Sequence, residues 1–471
     1  MISKVWSVGV LLVGCGGGLQ PVPTEPPPPP APEQTDPPLT VAETPLEPDP
    51  DAGTEPVQTA VSVEVGSATG WTQFHGGPAR TGASAAPAIA RPKILWSHQV
   101  GIQGWLNGPL ALGGDLVIVS SSGKLHNKPD AEDGVVALEL RTGKRAWHAR
   151  FPQDANGVAA NQTHVFATCD DGHLYALDIR KGGVAWKHAG EGKMYSHPLL
   201  VADKVIVGDG AGNVYALAQS DGKLAWKLTL SGAIRGGASA DGSHVYVASQ
   251  GGEVAKLGFD GKTAWKHAVK RPPWDGRGQP EAIEVYSPPI VDQDVIIVPF
   301  ARDTYYEDVP GFLALDKKTG RDRWRAKGPG QWGNVRSTAA LVAGTLVYAE
   351  PYSGDIVGLA SSTGRMLYRH TVGPCLFPSW ASPAAAGDVV YVPRFDGTVH
   401  AVRASSGKEL WKIYLGDKRH AGSTPPAAPA SRHGCDWEVG VGSSIYSPAA
   451  VSETGTLLVG TAEGWLYAIG G

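Results

Sequence analysis

Several features are scarce in this 471-residue sequence, and each scarcity excludes a class of protein. Charged side chains make up 18% of the chain and the formal net charge is −4, so we expect no strong field for binding a nucleic acid. The 62 glycines and 38 prolines outnumber the charged residues, which excludes a helical bundle. The apolar run at residues 5–13 is too short to span a bilayer.

Cysteine and histidine patterns typical of reactive or metal sites are also missing from the sequence. No two of the four cysteines are adjacent, and none of the 14 histidines falls in a His-Glu-x-x-His pattern. Aspartate and glutamate are sparse among the small-residue segments described below. Glu284 is the nearest candidate there for an acidic metal ligand or a catalytic base. We therefore predict no catalytic residues and no metal ligands.

The N-terminus has the pattern of an export signal. Lys4 precedes the apolar run, which leads into Leu12, Val13, Gly14 and Cys15. This order resembles a bacterial lipoprotein signal peptide, with residues 1–15 as the signal and Cys15 as its lipobox cysteine. The resemblance implies that the residues before Cys15 are removed and that Cys15 becomes the lipidated first residue of the mature chain. An ordinary secretory signal with a chance cysteine is the alternative, and both export the protein. By analogy with such lipoproteins, the next residue, Gly16, suggests the outer membrane, facing the periplasm or the cell surface.

Residues 16–66 have the composition of a disordered acidic linker. They contain nine acidic and no basic side chains, and 14 of the 38 prolines lie in residues 19–66. Such a segment cannot bury enough apolar surface to fold, and its like charges repel each other. Because Lys4 is the only basic residue before it, the remainder of the chain carries a net charge of +4.

From residue 95 onward a pattern with a base period near 40 residues recurs. Two valine-rich runs and a glycine turn precede a run that ends in an aromatic residue, which is typical of a four-stranded propeller blade. Seven of these aromatics follow a turn with a central glycine. The closing aromatics are Trp96, Trp147, Trp186, Trp226, Trp265, Trp324, Tyr368 and Trp411.

The two ends of the repeat region are incomplete and complement each other. The last copy stops after residues 465–469 without a closing tryptophan, whereas residues 94–96 form a closing strand with no strands before it. Joining them gives an eighth blade made from both termini. The ring then has eight inner strands and no free sheet edge. We therefore predict that residues 67–471 form an all-β, eight-bladed β-propeller of four-stranded blades closed by both termini.

The repeat resembles that of the pyrroloquinoline-quinone (PQQ) type propellers. Residues 214–226 carry its Val-Tyr-Ala-Leu run and its Gly-Lys-x2-Trp ending, and the lead-in from Trp71 to Gly82 is similar to the opening of such proteins. In that family the closing tryptophan docks between blades. One branch contains quinoprotein dehydrogenases, and the other contains lipoproteins such as BamB of the outer-membrane β-barrel assembly machinery. The lipobox and the eight blades resemble the second branch, whereas the long linker and the lead-in depart from it.

The longest loops are all predicted on one face of the propeller. They are the connections between second and third strands at residues 123–134 and 301–311, and the connections between blades at 267–284, 326–334, 371–381 and 416–442. Loops on a rigid scaffold commonly carry binding, and aromatic and arginine side chains are the usual hot spots. The predicted binding face consists of His126, Trp274, Arg277, Arg302, Tyr305, Tyr306, Trp332, Trp380 and Trp437.

A second set of candidate residues precedes the inner strands. One residue from each blade is expected to lie around the channel mouth, where it either binds a ligand or bonds to neighbouring strands and water. These residues are Asn107, Asn156, Tyr195, Arg235, Tyr286, Arg336, Ala381 and Tyr446.

Three cysteines remain after Cys15. Cys375 and Cys435 fall in connections of neighbouring blades, so they are a candidate disulfide in an oxidising compartment. The alternative is that all three stay unpaired. Cys169 ends a valine-rich run and is expected to be a buried free thiol.

Together these features predict a lipid-anchored scaffold or binding propeller of the cell envelope, with a BamB-like role in outer-membrane protein assembly. The expected partners are an envelope protein or peptide and the membrane through the anchor, with no nucleic acid, and the chain is expected to be a monomer within a complex. No cofactor is expected. The alternatives are a PQQ-dependent quinoprotein dehydrogenase, which would bind PQQ with calcium, and a ligand-sensing propeller.

Overall fold

The computed structural model describes residues 70–471 except 114, 272–280, 283, 301–310, 327–334, 352–353, 373–379, 416–420 and 423–443. All of the described residues belong to the second of two units into which the chain divides, Thr59–Gly471. No helix among them is long and apolar enough to cross a membrane.

The described residues form 36 β-strands, most of them in eight sheets, of which six have four strands and two have five. Three strands come first: β1 (Gly70–Trp71), β2 (Ala83–Ser84) and β3 (Lys93–Gln99). Blade 1 contains β4 (Leu110–Leu112), β5 (Leu116–Ser122), β6 (Asp133–Glu139) and β7 (Arg145–Arg150). Blade 2 contains β8 (Ala155–Ala160), β9 (His164–Cys169), β10 (His173–Asp178) and β11 (Val184–Ala189). Blade 3 contains β12 (Leu199–Val201), β13 (Lys204–Gly208), β14 (Asn213–Ala218) and β15 (Leu224–Thr229).

The remaining blades repeat this arrangement. Blade 4 contains β16 (Ala238–Ala240), β17 (His244–Ala248), β18 (Glu253–Gly258) and β19 (Thr263–Ala268), and the separate pair β20 (Lys270–Arg271) and β21 (Glu281–Ala282) follows it. Blade 5 contains β22 (Ile290–Val291), β23 (Val295–Pro299), β24 (Phe312–Asp316) and β25 (Asp322–Ala326). Blade 6 contains β26 (Ala340–Val342), β27 (Thr345–Ala349), β28 (Ile356–Ala360) and β29 (Met366–His370). Blade 7 contains β30 (Ala384–Ala386), β31 (Val389–Pro393), β32 (Thr398–Arg403) and β33 (Glu409–Tyr414).

Blade 8 contains strands from both ends of the repeat region, as predicted. Its inner strands are β34 (Ala450–Val451), β35 (Leu457–Gly460) and β36 (Trp465–Gly470), and β3 pairs antiparallel with β36 as the outer strand. Ile94 lies opposite Ile469 and Trp96 opposite Ala468 in this pair. The innermost strand β34 contacts β4 of blade 1, so the ring is closed. The prediction of an eight-bladed propeller closed by both termini is confirmed.

The core lies between neighbouring blades. The second and third strands of each blade are valine-, leucine- and alanine-rich and almost wholly buried, because both of their faces pack against another sheet. One apolar cluster joins blades 1 and 2, another joins blades 3 and 4, and a third joins blades 5 and 6. Cys169 lies in the first of these clusters as a buried free thiol, as predicted.

The closing aromatic residue of each blade contacts the next blade. In seven blades the indole Nε1 donates to a backbone carbonyl, as from Trp147 to Ile179 at 3.0 Å and from Trp411 to Ile89 at 2.7 Å. The rings also lie against the turn glycines, which have positive φ. At Gly182 (φ 71°) a Cβ would lie 2.6 Å from Cε3 of Trp147, so only glycine fits there without displacement. The glycines that meet an aromatic ring in this way are Gly143, Gly182, Gly222, Gly261, Gly320, Gly364 and Gly407.

Candidate functional site

The two faces of the propeller differ in their connections. The connections between second and third strands contact those between blades, as where Leu230 N–H donates to Gly212 and Ile234 N–H donates to Asp209. We name this side the loop face. The tight turns between first and second strands and between third and fourth strands contact each other on the opposite side, as where Gln219 N–H donates to Asp203. We name that side the turn face.

The segment at residues 70–84, which we name the plug, fills the central channel from the turn face. Its β1 pairs with β4 of blade 1 and its β2 pairs with β30 of blade 7. Between these ends its carbonyls accept hydrogen bonds from the inner strands of successive blades. The pairs are Ala160 N–H to Thr72, Ala240 N–H to Pro78, Val291 N–H to Ala79 and Leu341 N–H to Thr81, at 2.7–2.9 Å. The plug therefore bonds to blades 1, 2, 4, 5, 6 and 7.

Arg80 holds the middle of the plug in place. It is fully buried, and its guanidinium donates to the carbonyls of Phe74 at 2.8 Å, Pro198 at 3.0 Å and Ala238 at 3.1 Å. These bonds add blade 3 to the contacts of the plug. The ring of Phe74 stacks on His197 with centroids 3.8 Å apart. Because these side chains fill the channel at its turn-face end, the described residues close that end of the channel.

Two arginines of the predicted channel mouth are stacked on aromatic rings. The guanidinium of Arg235 lies 4.1 Å from the ring centroid of Tyr195. The guanidinium of Arg336 lies between two rings, 4.4 Å from that of Tyr286 and 4.5 Å from that of Trp380. Such contacts contribute about 2 kcal/mol each where water is excluded. They also fix the plane of the guanidinium.

The aromatic surface continues around the mouth from Arg336. Trp380 contacts Tyr446 with centroids 6.0 Å apart, and Tyr446 in turn contacts Phe395 at 5.3 Å. Trp105, which precedes blade 1, lies edge-on to Tyr286 of the opposite blade 5 at 6.2 Å. The contacting side chains thus form two groups, one in blades 3 and 4 and one in blades 5 to 8, and Trp105 crosses the mouth to the second group.

A carboxyl group beside the mouth is already bound to a neighbouring side chain. Glu284 accepts a hydrogen bond from the Tyr286 hydroxyl at 2.5 Å, and Gln250 donates to the same hydroxyl at 2.9 Å. Burial, with a smaller contribution from the Glu284 hydrogen bond, raises the pKa of Tyr286 to about 12. The phenol therefore stays protonated at neutral pH and donates its hydrogen bond to one carboxylate oxygen of Glu284.

The predicted mouth residues of blades 1 and 2 are buried and bonded to the scaffold. Asn107 donates to the Ser120 hydroxyl and to the Ala155 carbonyl, at 3.1 and 2.8 Å. Asn156 donates to Asp170 and to the Met194 carbonyl, both at 2.9 Å. Ala381 is buried and offers no polar group. The chemistry available to a ligand is therefore concentrated in blades 3–8.

Most of the predicted binding face lies outside the described residues. The residues concerned are Trp274, Arg277, Arg302, Tyr305, Tyr306, Trp332 and Trp437, and the same holds for Cys15, Cys375 and Cys435. Two members of the face are described. Trp380 stacks on Arg336, and His126 contacts Asp154 through Nδ1 at 2.9 Å. The hydrogen bond that His126 donates to the Asp154 carboxylate raises the pKa of His126.

The described residues do not fit a calcium–quinone pair. A calcium ion requires six to eight oxygen ligands, mainly carboxylates and carbonyls. Among the described residues no group of three or more His, Cys, Asp or Glu side chains could hold a metal ion. Glu284 is bound by Tyr286, and the side chains that surround it at the mouth include two guanidiniums, which repel a dication.

Sequence reasoning missed the plug and the crossing of Trp105. The spacing of Trp71, Phe74 and Arg80 is not periodic, so nothing in it indicates contact with successive blades. The one usable signal is an arginine inside an otherwise glycine-rich, uncharged segment, because a charge there needs several partners if it is buried. The column of residues before the inner strands predicted a channel mouth, which stays a prediction as a site, and it did not show which arginine stacks on which ring.

The chain matches one family model, and its relatives are of two kinds, BamB proteins and a dehydrogenase. A family model described as "Outer membrane protein assembly factor BamB" matches residues 84–240 and 210–375. Outer membrane protein assembly factor BamB of Yersinia pestis is 24% identical over 278 residues, which cover 53% of this chain and 66% of that protein. Its counterpart in Burkholderia pseudomallei is 28% identical over 200 residues, covering 42% and 47%. A polyvinylalcohol dehydrogenase of Sphingopyxis sp. is 24% identical over 251 residues, covering 43% and 37%. The chain thus spans about half to two thirds of the length of the curated BamB proteins named here.

Solved structures of both kinds share the fold. BamB from Moraxella catarrhalis superposes with a TM-score of 0.58 at 17% identity, covering 81% of this chain and 98% of that one. A europium-containing methanol dehydrogenase superposes with a TM-score of 0.61 at 16% identity, covering 85% and 98%. At this identity the superpositions establish the propeller alone, so the choice between the two functions depends on the site.

Proposed function

Because this chain belongs to the family of outer membrane protein assembly factor BamB, we propose that it is a scaffold that binds partner proteins during outer-membrane protein assembly. The observation that carries this proposal is the composition of the channel mouth, where Arg235 and Arg336 are stacked on aromatic rings. Stacked arginines and aromatics are typical of protein-binding hot spots. Acid–base catalysis instead needs a group that titrates near the working pH, and an arginine guanidinium does not.

The loop face is the proposed binding surface. It carries the mouth and the long connections in which the sequence places Trp274, Tyr306 and Trp437. The closed turn face supports this assignment, since the plug occupies the axis on that side. We propose that the partner is an envelope protein or peptide and that the chain acts as a monomer within a complex.

The proposed location is the outer membrane, with Cys15 as the lipid anchor and residues 16–66 as the linker to the propeller. Support comes from the Leu12 to Cys15 sequence and from the run of prolines and acidic residues that follows it. The contacts between closing aromatics and the next blade support the proposal of tryptophan docking, which makes the propeller a rigid support. We propose that this scaffold needs no cofactor.

A quinoprotein dehydrogenase is the second candidate, because a polyvinylalcohol dehydrogenase is among the relatives. The two functions are separated by isolating the full, anchored chain from its own membranes after chemical cross-linking. The scaffold function predicts components of the barrel-assembly machinery in near-stoichiometric amount and no chromophore. Recovery of the chain without them, together with quinone absorbance and saturable binding of PQQ and Ca²⁺, would overturn the proposal in favour of the dehydrogenase.

A further inference from the structure

The channel mouth is rich in hydrogen-bond donors. Arg235 and Arg336 are planar cations held on rings, and Trp380 is an indole with one N–H. Nε of Arg235 and Nε1 of Trp380 are buried, and neither has a hydrogen-bond partner among the described residues. Buried donors without a partner cost free energy, so a site that keeps them is suited to an acceptor supplied from outside. The Glu284 carboxyl beside them is bound by Tyr286.

The two arginines are separated by one blade of the ring. Arg235 precedes the inner strand of blade 4 and Arg336 precedes that of blade 6, with Tyr286 of blade 5 between them. A ligand with a single carboxylate has one anionic group for two cations. An extended segment with two acidic side chains can meet both, and its intervening residues then lie against the ring of Tyr286.

The closed channel restricts how such a segment binds. Because Phe74 and Arg80 fill the axis below the mouth, a chain cannot thread through the propeller. It has to lie across the mouth and project side chains downward. Trp105 on one side and Trp380 and Tyr446 on the other supply apolar walls for it.

We propose that the channel mouth binds an extended acidic peptide segment of a partner protein, with carboxylates of the segment on Arg235 and Arg336 and an apolar or proline residue between them. This inference rests on the proposed binding function and specifies the chemistry of its partner. Charge complementarity favours a peptide of this kind, since both cations at the mouth are pre-oriented by stacking. A guanidinium fixed in this way loses little freedom when it pairs with a carboxylate.

A selection experiment tests the proposal without assuming the partner. The full chain is purified in detergent and used to select 12-residue peptides from a random displayed library. We expect the selected peptides to be enriched in pairs of Asp or Glu. By calorimetry, replacing those residues of a selected peptide with Asn or Gln should weaken its binding to the unaltered protein at least tenfold.

A pair of double variants assigns the binding to the mouth. Arg235→Gln with Arg336→Gln should also weaken binding at least tenfold, whereas Arg141→Gln with Arg403→Gln removes the same charge from exposed ion pairs and should leave binding unchanged. Peptides without acidic residues, or equal weakening by both double variants, would overturn the proposal. Binding of free succinate as tight as that of the peptides would also overturn it in favour of a small carboxylate ligand.

These outcomes are distinguishable from failure of the proposed function. If acidic peptides bind the mouth but no barrel-assembly components cross-link to the chain, the assembly role is wrong and the mouth chemistry stands. If the components cross-link equally to the Arg235→Gln, Arg336→Gln variant and acidic peptides are not selected, the assembly role stands and the mouth proposal is wrong.

Discussion

Arg80 is a buried charge whose partners are all neutral carbonyl groups. It has no exposed surface, and burial lowers its pKa to about 9, which still leaves the side chain charged at neutral pH. Two of its three bonds join the plug to blades 3 and 4, at residues 118 and 158 positions further along the chain, and the third stays within the plug. The planar guanidinium spreads its donors over three nitrogens, so it meets three separate carbonyls, whereas a lysine ammonium would have to meet all three from one atom.

Substituting Arg80 with Met tests this role. Loss of the guanidinium leaves the carbonyls of Phe74, Pro198 and Ala238 without donors, so we expect the free energy of unfolding to fall by about 3–5 kcal/mol. Urea unfolding followed by tryptophan fluorescence measures the change. Arg141→Met, at an exposed arginine, should change it by less than about 0.5 kcal/mol. A loss at Arg80 no larger than that of the control would show that the plug does not depend on it.

His75 gives the plug a dependence on pH. Burial lowers its pKa to about 3, and the Nδ1–H donates to the Arg80 carbonyl. Below pH 6.5 the unfolded chain binds a proton that the folded chain does not, so stability falls as the pH falls. The expected slope is about 1.4 kcal/mol per pH unit between pH 6 and 4.

The histidine contribution is isolated by comparing the protein with its His75→Gln variant, which keeps a donor but does not titrate. Chemical unfolding at a series of pH values should show the slope reduced by about 1.4 kcal/mol per pH unit in the variant. Parallel curves for the two proteins would mean that His75 does not take part.

At the scale of elements, the blade depends on the closing aromatic and the turn glycine as a pair. Trp147 of blade 1 donates to Ile179 and lies against Gly182, both in blade 2. The same pair recurs from blade to blade, and at Gly407 the ring is Tyr368, which has no indole N–H. The contact with the glycine is therefore kept at Tyr368, where the indole hydrogen bond is not available.

Two neighbouring glycines of one turn allow a matched test. Gly182→Ala places a methyl group 2.6 Å from Trp147 at a φ of 71°, so we expect a loss of about 2 kcal/mol or more. Gly183→Ala meets nothing within 4 Å and should change stability by less than about 0.5 kcal/mol. Equal thermal midpoints for the two variants would contradict the proposed role of the turn.

The periodic part of the fold was predictable from the sequence, and the aperiodic part was not. The 40-residue spacing of Trp147, Trp186 and Trp226 records the blade itself, so it indicated the blade count and the closure by β3 and β36. The path of the plug depends on backbone contacts with six blades and on side-chain contacts with a seventh, which leave no spacing in the sequence. At the mouth, the position of Arg336 was predictable, but its place between Tyr286 and Trp380 depends on packing between blades.

At the scale of the whole molecule, the ring is closed by one strand pair and braced by the plug. The strand β36 pairs with β3 on one side and with β35 on the other. Without it the outer strand of blade 8 loses its sheet, and β35 becomes an exposed edge. The strand that closes the ring and the plug that braces it both come from the N-terminal part of the propeller, since β3 is the next strand after the plug.

Deletion of residues 465–471 should open the ring. We expect a thermal midpoint at least 10 °C lower, or a loss of cooperative unfolding by calorimetry, because all of β36 is removed. Deletion of Gly471 alone leaves β36 intact and serves as the control. An unchanged, cooperative transition in the longer deletion would mean that the ring is held without its closing pair.

The central claim is that this propeller supports outer-membrane protein assembly through its loop face. The most direct measurement is the rate at which newly made β-barrel proteins reach their folded form in cells that lack the chain, followed by pulse-chase labelling and the shift of folded barrels on gels. The account predicts slower folding in these cells, restored by the unaltered chain but not by the Arg235→Gln, Arg336→Gln variant, which should be present at normal levels. Barrel folding at the normal rate in cells without the chain would contradict the account.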